Sequence, residues 1–166
     1  MLPLLYHEEQ NIKKSWLLLL AAMPLLASLS IVVYRSLHWP NFSMAIHLVF
    51  VGASMLFFFW FLFLKLITRL NKEYLEVHFR GLPFAKCKIS LNTIKQVKAV
   101  EYSPITDYGG WGLRYSVSGK GRCYTLSGNQ GVLLEFHEGK NLLIGSKNAA
   151  EFEQKLGLLV NPKMGQ

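Results

Sequence analysis

The stretch Tyr108-Gly109-Gly110-Trp111-Gly112 holds the residue types in this chain best suited to touching another molecule. Three glycines open backbone conformations that other residues avoid, or let a second surface approach closely. Tyr108 and Trp111 offer the large contact area on which binding energy concentrates. Arg114, two positions on, supplies a cation for an anionic group. A purely structural role competes with this: a sharp corner between sheets, with Trp111 in a core and Arg114 on a strand edge. The structural role is the favoured expectation.

A second candidate is the basic cluster Lys86, Lys88, Lys95 and Lys98. Side chains alternate along a strand, so Lys86 and Lys88 share a face. That face could meet anionic lipid, although a solvated strand face explains it as well. Nothing alternates aromatic and basic residues in the manner of an RNA-binding sheet, so nucleic acid is not an expected partner.

Catalytic patterns are absent from the sequence. Gly119-Lys120-Gly121 lacks the spacing of a phosphate loop, and no G-x-S-x-G elbow occurs. The five histidines, at 7, 38, 47, 78 and 137, include no H-x-x-x-H pair. Cys87 and Cys123 have neither C-x-x-C spacing nor a neighbouring His, so no zinc or redox motif is indicated. The expectation is a protein without catalytic residues, metal or cofactor.

The elements that carry these residues begin with two apolar runs. Residues 16–34 carry no charge, and residues 43–64 carry none and one His. A helix needs about 20 apolar residues to cross a bilayer core. The expected organisation is therefore a membrane hairpin over 1–71, with spans at 16–34 and 43–67, followed by a cytoplasmic domain over 72–166. Lys13 and Lys14 give the first run the look of a secretory signal, but it continues past Ala27-Ser28 without a clear cleavage site, and a retained helix is expected. Trp16 and Tyr34 would sit at its two interfaces, and Pro24 would kink it. Lys13, Lys14, Lys65, Arg69 and Lys72 flank the outer ends of the pair, against Arg35 alone in the turn. That bias places both termini in the cytoplasm. Small residues at similar depth, Ala27, Ser28 and Ser30 against Gly52, Ala53 and Ser54, suit close helix packing. His47 is expected near the outer interface.

Beyond Asn71 the pattern alternates with period 2, as half-buried strands do. Strands are expected at 74–79, 84–89, 98–102, 111–117, 122–126, 132–136 and 141–144. A short helical turn is expected around Leu91-Ile94. A last helix, capped by Asn148, would turn Ala149, Phe152, Leu156 and Leu159 inward. The fold class is α+β: two transmembrane helices, then a small barrel or sandwich of about seven strands capped by a C-terminal helix. Two sheets plugged by a helix resemble a pleckstrin-homology domain.

Four segments sharpen the resemblance: Glu101-Tyr102-Ser103-Pro104-Ile105, Tyr108-Gly109-Gly110-Trp111-Gly112-Leu113-Arg114, Ser127-Gly128-Asn129-Gln130-Gly131-Val132 and Leu142-Leu143-Ile144-Gly145-Ser146. With Glu8-Glu9-Gln10 ahead of the apolar runs, the chain resembles a bacterial membrane-protein family of unknown function. Its members carry two N-terminal transmembrane helices and a pleckstrin-homology-like domain. The resemblance implies an inner-membrane binding or scaffold protein, and it implies no activity. The expected partners are membrane lipids and a protein or a second copy of the chain. Direct binding of anionic headgroups, or service as an accessory subunit of a membrane enzyme or transporter, are the alternatives.

Overall fold

The computed structural model describes residues 4–11, 15–38, 44–116 and 121–161. Lys13, Lys14, Trp39 and most of the Ser118–Gly121 turn lie outside them, as does the side chain of Trp16. The chain divides into two compact units, Met1–Asn11 with Lys65–Gln166, and Ile12–Leu64.

The smaller unit is a pair of helices, α1 (Ser15–His38) and α2 (Met44–Leu62), packed on each other. Among the described residues Ala45–Leu62 is the one helical stretch long and apolar enough to cross a membrane, and none of it is buried. Ala22–His38 is apolar but shorter. Of the two expected spans, one helix among the described residues meets the criterion. Ser28, Ser30 and Ser54 turn their hydroxyls onto carbonyls of their own helix, at Leu25, Leu26 and Phe50. Half-buried His47 lines a gap with Ser28 and Ser54.

The larger unit is α+β, with two sheets. The first has the order β1 (Tyr6–Asn11), β2 (Lys65–Leu70), β3 (Tyr74–Arg80), β4 (Leu82–Ser90), all antiparallel. Two of these strands were not anticipated. β1 precedes both helices, and β2 occupies residues expected to end the second span. So the domain does not simply follow the helices: its first strand comes before them and pairs with the first strand after them. The seven strands expected beyond residue 72 are all present with shifted ends, giving nine among the described residues.

The second sheet has the order β5–β8–β9–β7–β6: β5 (Ile94–Glu101), β8 (Gln130–Phe136), β9 (Leu142–Gly145), β7 (Arg122–Thr125) and β6 (Gly112–Tyr115). All its pairs are antiparallel except β7 with β9. No ladder joins the two sheets among the described residues, so no closed barrel forms.

The core lies between the sheets and the last helix, α4 (Ala149–Val160). Leu66, Leu70, Leu75, Val77, Val132, Leu134 and Ile144 are buried there, and α4 adds Ala149, Phe152 and Leu156, as its spacing predicts. Tyr6 stacks on Phe152 at 4.9 Å, and Phe79 on Tyr124 at 6.1 Å, so each sheet contributes aromatic area to one core. Asn148 holds the N-cap position of α4 without a side-chain cap bond; Ser146 Oγ accepts its N–H instead.

Candidate functional site

The outer face of the second sheet carries a second, smaller core. It is made by a turn the sequence pattern did not resolve, α3 (Pro104–Tyr108). Pro104 opens α3, where its missing N–H has no helical use. Asp107 Oδ2 accepts the Ser103 N–H at 2.9 Å. Gly109 closes the helix in the left-handed region, φ 71°, with its N–H on the Ile105 carbonyl. Gly110 and Gly112 follow at φ 126° and 109°, conformations that side chains with a Cβ rarely adopt. Open space surrounds all three, so backbone conformation and not crowding selects glycine.

This turn lays Tyr102 and Tyr108 edge to face, 6.2 Å apart, over Cys123 and Leu143. Val100 and Leu133 complete the cluster. Glu101, Asp107 and Asn141 share with it a cleft of about 340 Å³. Burial raises the Tyr108 hydroxyl from 10.0 to about 12 and pushes Tyr102 further up. Burial also raises the Cys123 thiol, which keeps it protonated and inert at neutral pH. Cys87 is half-buried and its thiol is raised for the same reason.

The expected site residues separate here. Tyr108 is buried and belongs to the fold. Trp111 is half-buried, neither core nor free: its Nε1 donates to the Gly128 carbonyl at 3.3 Å and ties the glycine turn to the β7–β8 loop. Arg114 is exposed on β6, its Nε donating to the Trp111 carbonyl. Ile105 on α3 and Tyr115 on β6 are 62% and 61% exposed. β6 is the sheet's edge, pairing among the described residues with β7 alone.

The four lysines do not form one cluster. Lys86 and Lys88 lie on the outer face of the first sheet, Lys95 and Lys98 on β5 of the second. Lys86 pairs with Glu76 at 3.1 Å and Lys98 with Glu135 at 3.5 Å. The Lys88 ammonium sits 3.8 Å over the Tyr74 ring. Lys95 borders a groove against α4 with Glu153 and Gln154. His78 lies beside Lys86 in the register, and burial, with Arg69 and Lys86, lowers its pKa against the pull of Glu76.

A polar clamp went unrecognised. Glu8 Oε2 accepts from the Tyr6 hydroxyl at 2.6 Å and from Ser146 Oγ at 2.7 Å; Oε1 accepts the Lys147 N–H at 2.7 Å. Buried Gln10 donates to the Gly145 carbonyl at 2.6 Å. One carboxylate so joins β1 to the end of β9. The Glu8-Glu9-Gln10 motif was the available signal, but nothing in it announces a strand.

No family model matches the chain and no curated protein is similar to it. Among the described residues no group of three His, Cys, Asp or Glu side chains could hold a metal ion.

Proposed function

We propose that this chain is a membrane-tethered, non-enzymatic binding module. Its two-sheet domain docks an extended segment of a protein partner along the free edge of β6. The observation that carries this reading is the edge itself: four residues, Gly112–Tyr115, whose outer backbone groups have no ladder partner among the described residues. An added strand would take up those groups, and neighbouring side chains would select its sequence. Arg114 and Tyr115 stand exposed on the edge strand itself.

The helices are read as the tether. The unburied apolar surface of Ala45–Leu62 supports this, and α1 is read as its return span. Lys and Arg at the outer ends of the pair favour both termini in the cytoplasm, and a bacterial inner membrane is what the family resemblance implies. The pleckstrin-like character of the domain, and membership of the family that the four segments resemble, belong to the same proposal. On this reading the protein is a subunit or scaffold of a membrane assembly.

Headgroup recognition by Lys86, Lys88, Lys95 and Lys98 is less favoured. Two of these charges are already met by glutamates, and the four are divided between two sheets.

The test is capture from native membranes by the full-length chain and by a variant with Arg114→Ala and Tyr115→Ala. The pair should lose the co-purifying protein at an unchanged melting temperature, and amide exchange of β6 should slow in the wild-type complex. Undiminished capture by the variant would refute the β6 reading.

A further inference from the structure

We propose that the tip of the β3–β4 hairpin is an interfacial anchor, with Phe84 entering the headgroup layer of the bilayer that the helices cross and Arg80 pairing with lipid phosphate. The inference rests on the membrane reading above and adds a lipid contact made by the two-sheet domain itself.

Three observations carry it. First, the register of β4 against β3 breaks at the tip. His78 faces Lys86, but the next residue, Phe79, faces Leu82, so residues 83–85 have no partner on β3. Such a bulge re-aims side chains. Ala85 turns into the core, fully buried, while Phe84 is thrown outward at 79% exposure. That exceeds Leu37, at 75% among the most exposed apolar side chains of the helices. A large apolar residue held in water by a bulge has no role in the core.

Second, the tip lies at the end of the sheet where the chain leaves for the helices. Asn11 pairs with Lys65, and Lys65 pairs with Arg80, so these three residues form one row across β1, β2 and β3. By connectivity, α1 begins shortly after Asn11, and α2 ends at Leu62, shortly before Lys65. Neighbouring strands are roughly 4.8 Å apart. The links from this row to the helices are thus short, residues 12–14 on one side and 63–64 on the other.

Third, the charge suits an interface. Arg80 is exposed and makes no ion pair among the described residues. Lys65 stands next to it in the row, and Lys86 follows Phe84 on β4. Lys65 and Lys86 are met by Glu9 and Glu76, so Arg80 is the cation left for a lipid phosphate, and an apolar side chain near such a cation suits an interface.

The test uses the full chain with Cys87→Ala, leaving the buried Cys123 unlabelled, reconstituted in vesicles of phosphatidylethanolamine and phosphatidylglycerol. A polarity-sensitive fluorophore is placed at Phe84→Cys, at Phe57→Cys in α2, or at Asn92→Cys in the short turn that follows the far end of β4. Lipids carrying a quencher near the headgroup or along the chain report depth. The expected result is strong quenching at 57, clear quenching at 84 by the shallow quencher, and none at 92. Quenching at 57 with none at 84 overturns the anchor and leaves the tether standing. No quenching at 57 removes the tether and the anchor with it. Equal quenching at 84 and 92 also overturns the anchor, since the tip would not be distinguished. In a second arm Arg80→Gln should reduce quenching at 84 in these vesicles and leave it unaltered in phosphatidylcholine. Indifference to Arg80→Gln would overturn the phosphate contact.

Discussion

Asn11 and Lys65 face each other across neighbouring antiparallel strands, although all of residues 12–64 lies between them. The helical unit is thus an insertion into a sheet. Both of its ends attach to one paired position. The strand ahead of the helices is part of the domain, held by Glu8 against Ser146 and Lys147 at the other end of the chain.

Removing that carboxylate should loosen the whole domain. Glu8→Ala leaves the Tyr6 hydroxyl, Ser146 Oγ and the Lys147 N–H without their common acceptor. Hydrogen bonds to a charged group contribute about 1.5–3 kcal/mol each, with compensation by water where it can enter. A loss of about 3 kcal/mol is expected, read as a lower denaturant midpoint. Glu9→Ala is the control: Glu9 pairs with Lys65 and His7 on the surface. Exposed pairs of this kind contribute little, so the midpoint of this variant should stay close to that of the wild type.

In the glycine turn, backbone should matter more than the indole. Gly110→Ala places a Cβ at φ 126°, and such strain costs about 1–3 kcal/mol. Trp111→Phe keeps a ring and removes the bond to the Gly128 carbonyl, at about 1 kcal/mol. Because Trp111 is half-buried, Trp111→Ala should cost less than the 3–5 kcal/mol typical of a fully buried aromatic, which Phe152→Ala should show. Thermal melts of the four variants check this order.

The buried tyrosines predict sensitivity to alkali. Tyr108 and Tyr124 are raised from 10.0 to about 12, in each case chiefly by burial. The folded state thus keeps protons that the unfolded chain has lost. Their contribution is complete below pH 10 and is lost as pH rises from there through about 12. Tyrosinate absorbance and loss of near-ultraviolet dichroism should rise together above pH 10. Full ionisation of all tyrosines in a still-folded domain would contradict the burial.

The parts of the fold legible in sequence were those with apolar alternation. β3 through β9 announce themselves this way, and α4 shows its stripe of Ala149, Phe152 and Leu156. β1 was hidden because its inward residues include Glu8 and Gln10, which are held by hydrogen bonds and not by apolar burial. β2 was hidden because Leu66 and Ile67 continue the apolar run of α2, where period alone cannot separate strand from helix. The glycine turn stood out in the sequence, and Gly109, Gly110 and Gly112 all take positive φ. The burial of Tyr108 and the half-burial of Trp111 depend on which face of the second sheet α3 covers, and a single sequence does not specify that. The four lysines looked like a cluster only because the chain turns between Ile89 and Ile94, sending two to each sheet.

Site-specific photo-crosslinking addresses the β6 edge most directly. A photoreactive residue replaces Tyr115 on the edge, or Asn92 away from it, in the full chain in its native membrane. The account predicts a discrete protein adduct from position 115, none from 92, and loss of the adduct when Arg114→Ala is added. No adduct at 115, or the same adduct from both positions, would contradict a partner docked along β6.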